Sequence, residues 1–246
     1  MPSTVLEKKS NSIEGFMNKE KVPHIIYEDN HLIVINKPFG MPSQGDSTGD
    51  ESVFDWVKSY IRTTYHKQGN VYTALIHRLD RPTGGVLVLG KTSKAAARLS
   101  DQFQKKQIQK TYYAISEQIP SERQGILIHY LKRLPGKNIM RAYRKEVDAS
   151  KRAELSYRVL ATKGARALIE VLPKTGRKHQ IRVQLASMGC TIQGDVKYGK
   201  TNFNFDKSIS LLAKKLTLIH PTKKEEMTFE AAWPKNEIWK EWSRAS

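Results

Sequence analysis

The chain has 246 residues, 39% hydrophobic and 27% charged, which suits a globular protein with a substantial core and excludes disordered and fibrous classes. Its 42 Lys and Arg against 24 Asp and Glu leave a net charge of +18, beyond the excess that solubility requires in a domain of this size. No apolar run approaches a membrane span, the first residues lack the apolar stretch of a secretory signal, and the single cysteine, Cys190, allows neither an intramolecular disulfide nor a thiolate metal site, so a cytoplasmic protein is expected.

Residues 1–22 are polar and aperiodic and read as a loose N-terminal arm, leaving 23–246 as one folded domain. HIIYEDNHLIVINKP (24–38) reads as two short apolar strands about an Asp-Asn turn, stopped by Pro38, and FGMPSQGDSTGDE after it is a loop rich in Gly, Ser and Asp. Val53, Trp56, Val57, Tyr60 and Ile61 recur at helical spacing behind a Ser52…Asp55 capping pattern, which predicts an amphipathic helix over 52–67. YTALI (72–76) and VLVLG (86–90) read as buried strands, and Ser93 as the cap of a helix with Ala95, Leu99 and Phe103 on one face. KTYYAIS (110–116), ELSYRVL (154–160) and RALIEVL (166–172) alternate as strands. After Thr175-Gly176 a helix RKHQIRVQLASM (177–188) is expected, closed by Gly189. ISLLAKKLTLIH (209–220) and EMTFEAA (226–232) read as strands joined over a polar turn. Trp233, Trp239 and Trp242 offer a base-stacking platform, but the three-residue spacing of Trp239 and Trp242 after Pro234 more often marks a helix docking on the core, so docking is expected. With no internal repeat and no βαβ alternation, the expected fold is α+β, a mixed and mostly antiparallel sheet with flanking helices.

The positive charge belongs to the body of the chain: residues 31–246 hold 38 bases and 19 acids. Surpluses fall at 91–110 (six bases, one acid), 132–152 (eight bases, two acids) and 174–182 (four bases, no acid). Cations spread over several elements suggest a broad surface that exchanges counterions for a nucleic-acid backbone.

Within this excess one carboxylate stands out. In HRLDRPTGG (77–85), Asp80 lies between Arg78 and Arg81 beside a glycine turn. In an extended segment Arg78 and Asp80 share a side, and Pro82, Gly84 and Gly85 turn the chain just beyond them. A carboxylate among guanidinium groups stays ionised at neutral pH, which suits a nucleophile better than a general acid; taken alone, an R-x-D pattern is more often a strand-end ion pair. In TGRKHQIR (175–182) a helix from Arg177 places His179 and Arg182 one turn apart, where Arg182 is poised to meet Asp80 as a bidentate partner, or else the helix is a basic surface for phosphates. In KTYY (110–113), Tyr112 and Tyr113 face opposite sides of a strand, so one can be core while the other reaches a site.

There is no G-x-x-x-x-G-K-[ST], no G-x-G-x-x-G after a strand, no H-E-x-x-H and no G-x-S-x-G, and one cysteine cannot make the zinc-deaminase signature. An enzyme of this sequence is expected to need no nucleotide cofactor, no other cofactor and no metal.

HRLDRPTGG followed by VLVLGKTSKAAARL resembles the central motif of the RluA family of RNA pseudouridine synthases, usually H-R-L-D-x-x-T-S-G. YEDNHLIVINKPFG (27–40) resembles the family's opening motif, KTYYAI its K-x-Y segment, TGRKHQIRVQLASMGCTIQGDVKYG (175–199) its T-G-R-x-H-Q-I-R block, and LLAKKLTLIHP its final element. The resemblance runs in family order over about residues 24–234 and implies a pseudouridine synthase fold whose basic cleft binds structured RNA, ribosomal or transfer, as a monomer and away from membranes. It implies Asp80 as nucleophile, Tyr112 as the stacking residue that can also move a proton, and Arg182 as the partner of Asp80. Arg78 would fill the gap left by a flipped uridine, and Leu211 would form part of the apolar pocket wall. His77, Arg81, Thr83, Arg177 and His179, within the same motifs, would contact the RNA. Gly84 stands where the family usually has Ser, and Leu212 where the last motif often has His. The arm before residue 24 is too short for the S4 RNA-binding domain of many relatives. The alternative is a catalytically inactive RNA-binding or RNA-remodelling module on the same scaffold.

Overall fold

A computed structural model describes residues 22–199, 204 and 208–243; the expected N-terminal arm lies outside the described residues, apart from Val22. Eleven strands form one mixed sheet. β1 (His24–Glu28), β2 (Leu32–Lys37), β3 (Ala74–Leu75) and β4 (Gly84–Gly90) form one side, and β5 (Gln109–Ser116), β6 (Gln124–Arg133), β7 (Met140–Tyr143), β8 (Lys151–Lys163) and β9 (Arg166–Pro173) the other. β10 (Leu211–Ile219) joins them, and β11 (Glu226–Glu230) pairs with β10. The order is β1-β2-β4-β10-β5-β9-β8-β6-β7, antiparallel throughout except where β4 and β10 run parallel.

That parallel join is the centre of the molecule. Gly85 (φ +115°) sits opposite Ala213, and a Cβ there would lie 2.2 Å from the Ala213 carbonyl oxygen, so only glycine lets the two backbones approach this closely. Gly84 has its own reason to lack a side chain, because a Cβ would meet the Phe39 ring at 2.8 Å. β4 is buried on both faces: Val86 and Val88 pack with Leu32, Val34, Leu99, Trp239 and Trp242, whereas Leu87 and Leu89 pack with Ile33, Ile35, Val53, Val57 and Ile61.

Helices cover both faces. α1 (Val53–Thr64) and α3 (Gln180–Ser187) lie on one, and α2 (Ser93–Gln104) and the short α4 (Glu237–Lys240) on the other. The Ser52…Asp55 pattern caps α1 as expected, with Ser52 Oγ accepting from the Asp55 N–H and donating to its carboxylate. α2 is capped by Thr92 rather than Ser93, which is the first helical residue. Trp239 and Trp242 are buried, as expected for a docked helix.

Two further expectations need correction, and two strands are unanticipated. YTALI contributes only Ala74–Leu75 to the sheet, because β4 shares that edge between β3 at its end and β10 at its start. α3 begins at Gln180, not near Arg177: His179 adopts a left-handed φ of +52° as N-cap, and Gln180 Oε1 accepts from the Arg177 N–H (3.0 Å) and Thr175 Oγ1 (2.7 Å), holding 175–177 as a loop. The strands β6 and β7 within 124–143 are additional; Ile126 and Ile128 face outward while Leu131 packs inward, which hides the usual alternation. No helix among the described residues is long and apolar enough to cross a membrane.

Candidate active site

On the face carrying α1 and α3 the apolar core divides into two clusters, one under each helix, and Tyr112 packs against the edge of both. Above this seam opens a cleft of about 1480 Å³. Its cations come from separate parts of the chain: Arg78, Lys106, Lys110, Lys174, Arg177, Lys178 and Lys197 all line it, while Asp46, Asp50 and Glu51 form one acidic rim.

Asp80 lies in the loop between β3 and β4, which is stitched into place. Ser43 Oγ donates to the Leu79 carbonyl (2.8 Å) and accepts from the Leu79 N–H (3.1 Å), and the Thr83 N–H donates to the Asp80 carbonyl (2.9 Å). Buried Lys37 donates to the carbonyls of Pro38 (2.8 Å), Met41 (2.7 Å) and Arg81 (3.2 Å), tying the loop after β2 to the residue beside Asp80; burial pushes its amine down to about 7. The Asp80 side chain keeps 28% exposure toward the cleft. Its Oδ2 accepts from Arg182 Nη1 (3.1 Å) and lies 3.9 Å from His179 Nε2. Oδ1 makes no hydrogen bond with the described residues.

Arg182, 3% exposed, meets Asp80 through one nitrogen only. Its bidentate partner is Asp195, fully buried, which accepts from Nε and Nη2 at 2.7 Å each. His179 is buried beside it; Nδ1 lies 2.8 Å from the Tyr198 hydroxyl, and burial pushes the imidazole down to about 4 against the pull of Asp80. The Tyr198 ring also lies under the Arg182 guanidinium, 5.3 Å from its centre. Tyr112 reaches the cleft half-buried, and burial followed by the charge of Asp80 holds its phenol well above the ordinary tyrosine range. Tyr113 points the other way into the core, against Trp233.

The remaining expected residues separate into two groups. Arg78 and Arg177 are exposed cations of the cleft; Arg177 Nε donates to the Arg152 carbonyl (3.1 Å), and Arg78 has no polar partner among the described residues. Arg81 is fastened by Asp46, Thr48, Asp50 and the Gly40 carbonyl, so it shapes the rim loop. His77 lines the cleft, but its Nε2 accepts from the Val88 N–H (3.2 Å), its ring stacks on Phe103, and burial pushes it down to about 3, which makes it a neutral wall. Thr83 and Leu211 are not among the lining residues. Thr83 is buried in the turn behind Asp80, and Leu211 packs under Tyr112 with Ala114, Ile169 and Ile181.

Asp195, Tyr198 and Lys37 are the site residues that motif reading passes over. For Asp195 a signal exists: it is the only acid between Glu170 and Asp206, in a stretch holding many cations, the same anomaly that marks Asp80. Among the described residues no group of His, Cys, Asp and Glu is arranged to hold a metal ion. The arrangement offers a carboxylate gripped at one oxygen and open at the other, a phenol beside it, and cationic walls sized for a polyanion.

Residues 31–187 match the family model for RNA pseudouridylate synthase. The ribosomal large subunit pseudouridine synthase C of Rickettsia typhi is 34% identical over 213 residues, covering 86% of this chain and 68% of that protein. YhcT of Bacillus subtilis, named an uncharacterized RNA pseudouridine synthase, is 33% identical over 216 residues, covering 85% and 68%. Among solved structures, human RNA Pseudouridylate Synthase Domain Containing 4 matches with a TM-score of 0.71 at 26% identity, covering 92% of each chain.

Proposed function

The chain belongs to the RNA pseudouridylate synthase family, in its RluA-type branch, and as an isomerase of uridine in RNA we propose that it uses Asp80 as nucleophile and acts on large-subunit ribosomal RNA. The observation that carries the residue assignment is the half-gripped carboxylate: Asp80 holds Arg182 through Oδ2 while Oδ1 stays open at the floor of a cationic cleft. An ionised, oriented carboxylate is what attack on ribose C1′ or uracil C6, or elimination at the sugar, demands. The N1–C1′ bond breaks, the base turns, C5 bonds to C1′, the C5 hydrogen leaves as a proton and N1 takes one up, so product and substrate are isomers. No electrons are gained or lost, so the reaction needs no redox partner.

The uridine must leave its stack to reach Asp80. Arg78, exposed and without a polar partner among the described residues, supports the role of filling the vacated space, and Tyr112 supports stacking against the extruded base. Lys110, Lys174, Arg177, Lys178 and Lys197 supply phosphate contacts along the walls. These groups all lie on one chain, so a monomer is the simplest assembly we propose. The ribosomal target rests on the names of the relatives. Pseudouridine mapped in ribosomal and transfer RNA from cells with and without the gene tests it: loss at a large-subunit uridine is expected, and a change confined to transfer RNA would reassign the substrate.

A further inference from the structure

Building on the reading of Asp80 as nucleophile, we infer that Asp195 and Tyr198 are positioning residues: acting through Arg182 and His179, they clamp Oδ2 of Asp80 and leave Oδ1 as the oxygen that meets the target nucleoside. Both come from one turn after α3, four residues long, whose first member is locked by its own backbone. The Asp195 N–H donates to the Ile192 carbonyl (3.0 Å), its carbonyl accepts from the Gly199 N–H (2.7 Å), and Oδ1 also accepts from the Lys197 N–H (3.1 Å).

The first arm is rigid because a guanidinium is planar. With Nε and Nη2 both on Asp195 at 2.7 Å, the plane of Arg182 cannot rotate, and the remaining Nη1 is delivered to Asp80 Oδ2 at 3.1 Å. The second arm is set by proton counting. The Tyr198 oxygen accepts the Met140 N–H (2.8 Å), so its single hydrogen is left for His179 Nδ1 (2.8 Å). A neutral imidazole that accepts at Nδ1 carries its proton on Nε2, the nitrogen 3.9 Å from Asp80 Oδ2. The opposite tautomer would make the Tyr198 oxygen accept twice, leave its hydrogen without a partner among the described residues, and turn a lone pair toward a carboxylate. Both arms therefore turn N–H groups toward the same oxygen, Arg182 in a hydrogen bond of 3.1 Å and His179 as a charge-dipole contact at 3.9 Å. They also share a wall, since the Tyr198 ring underlies the Arg182 guanidinium.

Two measurements decide this, one of them free of turnover. In full-length protein labelled with 15N-histidine, His179 should show the neutral Nε2–H tautomer at neutral pH, and Tyr198→Phe should lose that single-tautomer signature while retaining the aromatic ring. An Nδ1–H tautomer in the wild type, or an unchanged signature in Tyr198→Phe, would overturn the inference. In turnover on the mapped rRNA substrate, Asp195→Asn should lower kcat by about tenfold or more with KM and RNA affinity unchanged, as expected for misorientation rather than lost binding. His179→Gln should fall by about threefold and His179→Asn by about thirtyfold, because only the Gln amide nitrogen reaches the place of Nε2. A purely structural role predicts the reverse order, since Asn tolerates the left-handed backbone of residue 179 better than Gln. Asn outperforming Gln, or Asp195→Asn acting on KM alone, would count against positioning. A wild-type enzyme inactive on ribosomal and transfer RNA would instead sink the functional reading, and the tautomer measurement would still stand by itself.

Discussion

Arg182 and Asp195 form a buried bidentate pair behind Asp80, two bonds of 2.7 Å between a guanidinium 3% exposed and a carboxylate with no exposure, and Asp80 receives the one nitrogen left over. The charge beside Asp80 is thus held by a second acid. A lysine at 182 would keep the charge as a single point and could not address two carboxylates in a fixed plane. Arg182→Lys is expected to lower the single-turnover rate by about a hundredfold. Its stability should fall too, toward the lower end of the roughly 3–5 kcal/mol seen when a buried pair loses a partner. Single-turnover kinetics with urea midpoints check both; wild-type turnover in the Lys variant would mean that Asp80 needs a nearby charge and not a fixed one.

The tyrosine pair separates chemistry from packing. Tyr112 faces the cleft and Tyr113 the core, one residue apart on β5. Tyr112→Ala should abolish most turnover with a modest effect on stability. Tyr113→Ala should destabilise by about 3–5 kcal/mol, the usual cost of deleting a buried aromatic ring, and leave the folded fraction active. Paired kinetic and urea-denaturation measurements would reverse this assignment if the rate loss fell on residue 113.

What motif reading captured and what it missed follow from where each interaction is encoded. A loop charge anomaly singles out Asp80 and strand alternation separates Tyr112 from Tyr113, but which tyrosine faces the cleft and which group meets Arg182 rest on the family resemblance, not on local pattern. Asp195 as the true bidentate partner of Arg182 is a pairing across a buried turn, which periodicity cannot report. The late start of α3 depends on Gln180 reaching back to Thr175 and Arg177, a side-chain capture that overrides helical propensity in RKH. β6 escapes notice because apolar residues sit on both of its faces, Ile126 and Ile128 on the open one and Leu131 on the packed one, and β7 is only four residues long. Thr83 and Leu211 belong to recognisable motifs, yet their side chains support the site from behind.

Two histidines make the fold sensitive to acid. Burial pushes His179 down to about 4 and His77 to about 3, from an ordinary 6.5. Between those folded values and 6.5 the unfolded chain holds more protons than the native one, so stability rises with pH and is lost as pH falls from 6.5 toward 4. Each group contributes a slope of about 1.4 kcal/mol per pH unit within that window. Urea midpoints should therefore drop between about pH 6.5 and 4.5, and His77→Gln, whose amide oxygen can keep the Val88 N–H satisfied, should flatten the drop. The same slope in wild type and His77→Gln would show that His77 is not held neutral in the fold.

Arg78 and Asp80 lie two residues apart and should fail in different ways. Asp80 is bound into the Arg182 network, whereas Arg78 projects, exposed, into the cleft with no polar partner among the described residues. If Arg78 occupies the space vacated by the uridine, Arg78→Ala raises the cost of extrusion, a quantity on the order of a few kcal/mol for a stacked, paired base and smaller for an unstacked one. Its effect should depend on the substrate: large when the target uridine sits in a structured stem-loop, modest in a short flexible strand. Asp80→Asn should abolish turnover on both, because bond cleavage at the sugar is the same in each, while RNA affinity and folding persist. Release of tritium from C5 of the target uridine, measured for both variants on both RNAs, reads the two roles separately. An Arg78→Ala loss of equal size on the two substrates would place Arg78 in the orientation of Asp80 instead of the flip.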